Sequence, residues 1–182
     1  DVCTFTVTVN DTEDPVITCT PSFEVCEGNV VTYTLPSTTD NCTGTTLAQT
    51  DASGYTNGDV FPVGTTTIEY TATDAADNTA VCSFDVVVHA LPSVAIIQSE
   101  QDQYCQGGAY VLTADAPDAV SYSWSNGSFD ASTEVAASGT YTLTVTNQYG
   151  CQNTASVIVS YVTQDLLSAY IMLATDEVHL HE

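Results

Sequence analysis

The sequence predicts an all-β chain built from tandem β-sandwich domains. Three observations indicate this fold class. Short runs rich in Thr, Val and Tyr alternate with Pro, Gly and Asn-Asp turns, no convincing helical periodicity precedes Gln164, and one pattern occurs twice. β-Branched and aromatic residues favour strands, and evenly spaced short strands divided by turns are typical of sandwiches. With 43% hydrophobic residues, the chain also has enough apolar surface to bury a core.

The repeated pattern sets the expected domain boundaries. The run Cys3-Thr-Phe-Thr-Val-Thr-Val9 returns 79 residues later as Cys82-Ser-Phe-Asp-Val-Val-Val88, a spacing that matches one small β domain. We therefore expect residues 1–13 to be the last strand and linker of an upstream domain. Residues 14–90 and 91–162 are expected to form two domains. Residues 163–182 are expected to begin a further, truncated domain.

Strands are expected in a fixed order within each domain. In the first they fall at residues 30–35, 65–72 and 81–88. In the second they fall at residues 110–113, 121–124, 139–146 and 154–161, with a hairpin at Gln148-Tyr149-Gly150. Trp124 takes the position at which an immunoglobulin-like sandwich keeps its core aromatic residue. We therefore expect tandem immunoglobulin-like β-sandwich domains in an elongated array.

The charge of the chain restricts its partners and location. It contains 23 Asp and Glu residues and no Lys or Arg, for a formal net charge of −23. Phosphate recognition usually depends on Lys or Arg, so nucleic acid and anionic membranes are not expected partners. The absence of an apolar run of about 18 residues argues against membrane insertion. Because no basic side chain neutralises the carboxylates, salt or bound cations must screen them. This balance favours an extracellular location at the cell surface.

Seven cysteines without a metal-type CxxC spacing predict disulfides and an oxidising compartment. Internal alignment matches Cys26 with Cys105 and Cys82 with Cys151. Cys3 is expected to have its partner outside this segment, and an exchange of partners among the first domain's cysteines stays open. The pairs that the alignment favours are Cys26–Cys82, Cys19–Cys42 and Cys105–Cys151.

An acidic cluster at the entry to the first complete domain is the best candidate site. In an immunoglobulin-like topology, the loop after the second strand and the last hairpin loop lie at the end where the chain enters. Ca²⁺ takes about six to eight oxygen ligands, which carboxylates and Asn amides provide. The alternative is a set of solvated turns, in which Asp and Asn are common. The candidate calcium ligands are Asp11, Glu13, Asp14, Asp40, Asn41, Asp74, Asp77 and Asn78.

The sequence does not indicate an enzyme. Paired acids for glycoside hydrolysis are not dismissed by their number alone, but no His-based triad or nucleophile elbow is evident. Tyr122, Trp124 and Tyr141 offer a surface for stacking sugars. Their alternation with Ser and Thr favours a role in the core instead.

Five blocks of the first complete domain resemble the hyalin repeat, or HYR domain. Asp77 departs from that family, which usually has Gly before the Asn. The second domain, with Cys105-Gln-Gly, Trp124-Ser-Asn-Gly and Tyr149-Gly-Cys151, resembles Ig-like or PKD-like repeats of large Bacteroidota surface proteins. The HYR-like blocks are Asp14-Pro-Val-Ile-Thr-Cys19-Thr-Pro, Thr39-Asp-Asn-Cys42, Phe61-Pro-Val-Gly-Thr-Thr-Thr67, Tyr70-Thr-Ala-Thr-Asp74-Ala-Ala-Asp-Asn78 and Cys82-Ser-Phe.

The resemblance implies an extracellular adhesin exported by the type IX secretion system, of the kind that includes gliding-motility adhesins. The expected function is a non-catalytic stalk that extends and presents a distal binding region. Its expected partners are neighbouring repeats of the same chain and a surface glycan or protein ligand bound elsewhere in the full protein. Two alternatives are an accessory or carbohydrate-binding module of a secreted enzyme and a subunit of a polymeric filament.

Overall fold

The computed structural model describes residues 2–8, 10–99 and 109–161. These residues form twelve strands and no helix, so the all-β prediction is confirmed. None of them forms a helix with the length and apolar character needed to cross a membrane. The chain divides into two compact units, Asp1–Ala90 and Leu91–Glu182, which we call unit 1 and unit 2. The predicted further domain at residues 163–182 lies outside the described residues.

Unit 1 is built from two sheets. The first is the antiparallel pair β1-β3, and the second has the strand order β2-β6-β5-β4. β2 runs parallel to β6, whereas β5 runs antiparallel to β6 and to β4. β6 is therefore an inner strand that is hydrogen-bonded along both edges. The strands are β1 (Val16–Thr18), β2 (Phe23–Cys26), β3 (Ser37–Thr39), β4 (Thr46–Gln49), β5 (Gly64–Thr73) and β6 (Thr79–His89).

The core of unit 1 follows from the period-two pattern of its two long strands. Successive side chains of a strand point to opposite faces, and alternate residues of β5 and β6 are buried. Ile17 on β1 packs against the same cluster, so the two sheets share one core. The buried residues of the two long strands are Ile68, Tyr70, Ala72, Phe84, Val86 and Val88.

Unit 2 is also a pair of sheets, with strand orders β10-β8-β7 and β12-β11-β9. Trp124 on β9 is 3% exposed, and its indole Nε1 donates to the carbonyl of Asp130 at 2.9 Å. It packs with Leu112, Leu143 and Val145, which agrees with the predicted core position. The strands are β7 (Ala95–Gln98), β8 (Tyr110–Asp115), β9 (Ala119–Trp124), β10 (Ser132–Val135), β11 (Gly139–Asn147) and β12 (Gln152–Val159).

The strand predicted at residues 30–35 is wrong. Only an isolated bridge between Val30 and Val60 is present there. The side-chain amide of Asn57 donates from Nδ2 to the carbonyl of Tyr33 at 2.8 Å, and its Oδ1 accepts from the backbone N–H of Tyr33 at 3.1 Å. This amide satisfies the backbone of Tyr33 where a strand neighbour would otherwise be needed.

Residues 2–8 carry no strand, although the sequence predicts one there. Phe5 is 88% exposed and Val7 is 71% exposed. A strand forms only against a partner that takes up its backbone hydrogen bonds. In unit 1 the position that the repeated pattern occupies is already filled by β6, and residues 2–8 pair with none of its strands.

Candidate functional site

A disulfide joins the two sheets of unit 1. Cys19, which follows β1, is bonded to Cys82 on β6, with the two Cα atoms 5.7 Å apart. The predicted pairs Cys26–Cys82 and Cys19–Cys42 are therefore wrong. The Cys19–Cys82 bond is one of the exchanges that the sequence left open, but Cys42 does not pair with Cys26. Cys42 and Cys3 are exposed free thiols.

The strand register explains why Cys26 does not bond to Cys82. β2 pairs with β6 so that Cys26 lies beside His89. Cys82 is seven residues away from His89 along the same strand, roughly 23 Å at the usual rise per residue. Two cysteines bond only when their Cα atoms lie within about 7 Å. Cys26 and Cys151 are each disulfide-bonded, while Cys105, the predicted partner of Cys151, lies outside the described residues.

The loop after β3 and the segment that enters unit 1 meet at an acidic cluster. A carboxylate oxygen of Asp11, a carboxylate oxygen of Asp40 and the sulfur of Cys42 all lie within 4.8 Å of one another. Asn41 donates from Nδ2 to the Glu13 carboxylate at 2.7 Å, which ties this loop to the entering segment a second time. The topology therefore brings together residues that are about 30 positions apart in the sequence.

The β5–β6 hairpin contributes the third part of the cluster. Asp74 is 6% exposed, and its Oδ1 accepts hydrogen bonds from the backbone N–H groups of Ala76 and Asn78, both at 2.8 Å. Asn78 donates from Nδ2 to Asp74 Oδ2 at 2.8 Å and to the carbonyl of Asp11 at 3.4 Å. Burial alone would raise the pKa of Asp74, but the hydrogen bonds from Asn78 and Ala76 outweigh it and lower the pKa.

Cys42 is the member of the cluster that the sequence did not place there, since it was predicted to form a disulfide. A weak hydrogen bond from the thiol to the Asp11 carboxylate is the largest cause that raises the pKa of Cys42. Burial and the negative charges of Asp11, Asp40 and Asp74 raise the pKa further. The thiol therefore stays protonated at neutral pH and is a poor nucleophile. The sequence could have placed Cys42 in the cluster, because it stands only two residues after the candidate ligand Asp40.

Two carboxylate oxygens at the centre of the cluster lack ordinary partners. Asp11 Oδ1 accepts from the Glu13 N–H at 3.2 Å, and Asp40 Oδ2 accepts from the Cys42 N–H at 2.9 Å. Apart from the weak S–H donor, the other two oxygens, Asp11 Oδ2 and Asp40 Oδ1, are buried without a hydrogen-bond partner. Leaving such a group unpaired is unfavourable, and the chain has no Lys or Arg to neutralise it.

The structure joins six of the eight predicted ligands into this network and leaves the side chains of the other two outside it. Asp14 is exposed on the entering segment. Asp77 lies in the hairpin loop with a positive backbone φ of 68°, the only such non-glycine value among the described residues. The residues in the network are Asp11, Glu13, Asp40, Asn41, Asp74 and Asn78.

The proposed sugar-stacking aromatic residues do not form an exposed platform. Trp124 is buried, and Tyr122 and Tyr141 are partly buried against the core of unit 2. An apolar groove in unit 1 is lined by residues that include Cys19, Phe23, Tyr33 and Leu35. No Asp, Glu or His lines this groove.

The sequence profile of the HYR domain matches residues 10–88. The chain is 36% identical over 96 residues to hyalin of Strongylocentrotus purpuratus and 40% identical over 93 residues to hyalin of Lytechinus variegatus. It is 37% identical over 94 residues to sushi, von Willebrand factor type A, EGF and pentraxin domain-containing protein 1 of Rattus norvegicus. These matches cover 49%, 47% and 50% of this chain and 8%, 17% and 3% of the relatives.

The solved structures that the chain matches include cadherin domains. The chain matches the protocadherin gamma B7 extracellular cadherin domains 1–4 at 13% identity and a TM-score of 0.39, covering 81% of this chain and 49% of that one. It matches the human desmocollin-1 ectodomain at 10% identity and a TM-score of 0.35, covering 83% of this chain and 37% of that one.

Proposed function

We propose, starting from the HYR domain at residues 10–88, that this chain is part of an extracellular adhesion protein. In this proposal it is a non-catalytic stalk that extends and presents a binding region located elsewhere in the polypeptide. The observation that carries the proposal is the HYR match in a chain whose unit 1 is closed by the Cys19–Cys82 disulfide. Disulfides of this kind persist in oxidising compartments.

Two features of the chain support a structural role over a catalytic one. Its 23 carboxylates occur without any Lys or Arg, so neighbouring chains repel one another and remain separate. The apolar groove of unit 1 has no Asp, Glu or His in its lining. The narrower proposal, a Bacteroidota surface adhesin exported by type IX secretion and used in gliding, rests on the resemblance of the second domain's sequence blocks.

The adhesion proposal is tested by exchanging the segment in the parent protein. Deleting residues 14–161 is expected to reduce cell adhesion, because the distal binding region loses reach. Replacing the same residues by two unrelated β-sandwich domains of similar length is expected to restore it. A replacement that folds and is exported but leaves adhesion as low as the deletion would contradict a spacer role, since it would mean that this segment itself binds the ligand.

We propose in addition that the acidic cluster of unit 1 binds calcium. The donor set suits a hard cation, because Asp11 Oδ2 and Asp40 Oδ1 are buried without an ordinary hydrogen-bond partner and a carboxylate oxygen of each residue lies within 4.8 Å of the other. A cation there would neutralise two adjacent carboxylates that no basic side chain can reach. The Cys42 thiol is a soft donor and is not expected to be a calcium ligand. The remaining oxygens would come from Asp74, Glu13, backbone carbonyls and water.

Calcium binding to the cluster is tested by equilibrium titration of the 182-residue chain. One calcium ion is expected to bind with a dissociation constant of about 10⁻⁴ to 10⁻³ M, as for extracellular calcium modules. The double variant Asp11→Asn/Asp40→Asn is expected to lose this site. Asp14→Asn is the matched control, since Asp14 is exposed and lies outside the network. Equal binding by the double variant and the wild-type protein would contradict the assignment.

A further inference from the structure

Residues 2–8 expose apolar side chains in a pattern that a folded β domain buries. Val2 is 93% exposed, Phe5 88% and Val7 71%. Phe5 and Val7 alternate with Thr residues, which is the pattern of a strand with one buried face. The segment therefore has the sequence of a strand but no sheet in the described part of the chain.

The same pattern is folded in β6 of unit 1. Phe84 and Val86, which stand 79 residues after Phe5 and Val7, are 3% and 0% exposed. Phe84 lies opposite Ile68 of β5, and Val86 lies opposite Phe23 of β2. With these neighbours in the sheet, the apolar face of β6 is buried in the core of unit 1, against which Ile17 of β1 also packs. Residues 3–8 carry the same apolar positions without either neighbour.

Cys3 repeats the chemistry of Cys82. Cys82 opens the repeated pattern in β6 and is bonded to Cys19 across the sandwich. Cys3 opens the pattern in the first copy and is an exposed free thiol. A strand that filled the β6 position of another domain of this type would place Cys3 beside the residue equivalent to Cys19.

We propose that residues 3–8 are the closing strand of a further domain of the unit 1 type. The partner is a domain that precedes this segment in the same polypeptide and contains strands equivalent to β2 and β5 but no closing strand of its own. The Thr side chains of the segment would lie on the outer face, as Ser83 and Asp85 do in β6. This inference extends the proposed stalk by naming its neighbour. The test of this inference measures neither adhesion nor calcium binding. Its failure can therefore be told apart from a failure of the proposed function.

The test is a fusion in which residues 14–81 of this chain are placed directly before Cys3 of the full chain. Cys3 then takes the sequence position that Cys82 has in unit 1. Refolding uses glutathione disulfide, which accepts the two electrons and two protons released when the Cys3 and Cys19 thiols form their bond and becomes two glutathione molecules. We expect mass spectrometry to find Cys3 bonded to Cys19 of the added copy. We also expect amide exchange at residues 3–8 to slow at least about 100-fold relative to the unfused chain.

Two variants of the fusion test whether residues 3–8 pair with the same face buried as in β6. Phe5→Asp is expected to abolish both the disulfide and the slowed exchange, because it puts a charge where Phe84 is buried. Thr6→Asp is the matched control and is expected to retain both, because its equivalent in β6 is Asp85. A reference fusion that carries residues 82–88 in place of residues 3–9 reports the protection that β6 itself gives.

Two results would overturn the proposal. The first is a reference fusion that is protected while the test fusion keeps a reactive Cys3 thiol and rapid exchange at residues 3–8. The second is a stable dimer of the unfused 182-residue chain that protects residues 2–8 and is lost in Phe5→Asp. That dimer would assign the strand to a second copy of this chain instead of a preceding domain.

Discussion

Asp74 of unit 1 and Asn147 of unit 2 hold the last hairpin of their units in the same way. Each residue's Oδ1 accepts backbone hydrogen bonds from the second and fourth residues after it, at 2.8 Å in unit 1 and 3.0 Å in unit 2. Each backbone N–H also donates to the carbonyl of that fourth residue. The hairpin thus needs a side-chain oxygen at this position but not a negative charge.

This equivalence predicts how the hairpins respond to substitution. Asn147→Ala leaves two backbone N–H groups without their acceptor and is expected to destabilise unit 2 by about 1–3 kcal/mol. Asp74→Ala is expected to destabilise unit 1 for the same reason, while Asp74→Asn keeps the oxygen and the fold. Denaturant unfolding of the three variants measures these effects. An Asp74→Asn protein as unstable as Asp74→Ala would show that the charge, not the acceptor, matters.

The lowered pKa of Asp74 predicts loss of stability in acid. Because the pKa is lower in the folded than in the unfolded state, the contribution is complete above the ordinary carboxyl value of 3.8 and is lost as pH falls through the folded pKa. The thermal unfolding midpoint of unit 1 should therefore decrease as the pH is lowered from about 4. Asp74→Asn is expected to show a shallower fall over the same range. An identical acid dependence in the variant would contradict the hydrogen-bond origin of the shift.

Removing the Cys19–Cys82 bond is expected to destabilise unit 1 substantially. The bond closes a loop with a sequence separation of 63, and loop-closure entropy for this length corresponds to about 4 kcal/mol. The double variant Cys19→Ser/Cys82→Ser should lower the unfolding midpoint of unit 1, as monitored by circular dichroism. Trp124 is the only Trp and lies in the core of unit 2, so its fluorescence reports the other unit.

Cys42→Ser is the matched control for that prediction, since Cys42 is an exposed free thiol. It is expected to leave the unfolding midpoint of unit 1 unchanged. If Cys42→Ser destabilised unit 1 as much as the double Ser variant, the disulfide pairing described here would be incorrect.

The backbone at Asp77 predicts a stabilising substitution. Its φ of 68° lies in the left-handed region, which costs a non-glycine residue about 1–2 kcal/mol. Asp77→Gly removes this strain, and the greater freedom of Gly in the unfolded chain offsets part of the gain. A net increase of about 0.5 kcal/mol is expected in denaturant unfolding. Asp77→Val is the opposing variant, and a Val protein as stable as the Gly protein would contradict the account.

The sequence predicted the long strands well and the short ones poorly. β5, β6 and β11 each carry several alternating apolar residues, so their period was visible. β1 and β3 have three residues each, which is too short for a period to appear. The segment around Tyr33 resembled a strand because it has strand-forming residues, but the amide of Asn57 supplies its hydrogen bonds.

The clustering of the acidic residues was predicted better than the disulfides, because the two depend on different information. The acidic cluster follows from topology alone, since the entering segment, the loop after β3 and the last hairpin meet at one end of the sandwich. The disulfide pairing depends on register, which places Cys26 beside His89 and far from Cys82. Internal alignment contains no information on register. The same alignment assigned Cys42 to a disulfide with Cys19, so the sequence did not predict its position beside Asp11 and Asp40.

Thermal unfolding of unit 1 with and without calcium, at fixed ionic strength, tests the central proposal most directly. Without calcium, Asp11→Asn/Asp40→Asn is expected to melt above the wild-type protein, because it removes repulsion between two adjacent unpaired carboxylates. With millimolar calcium the order is expected to reverse, because only the wild-type protein gains binding energy. A wild-type melting temperature that calcium does not change, or an order that stays the same in both conditions, would contradict a cation site at this cluster.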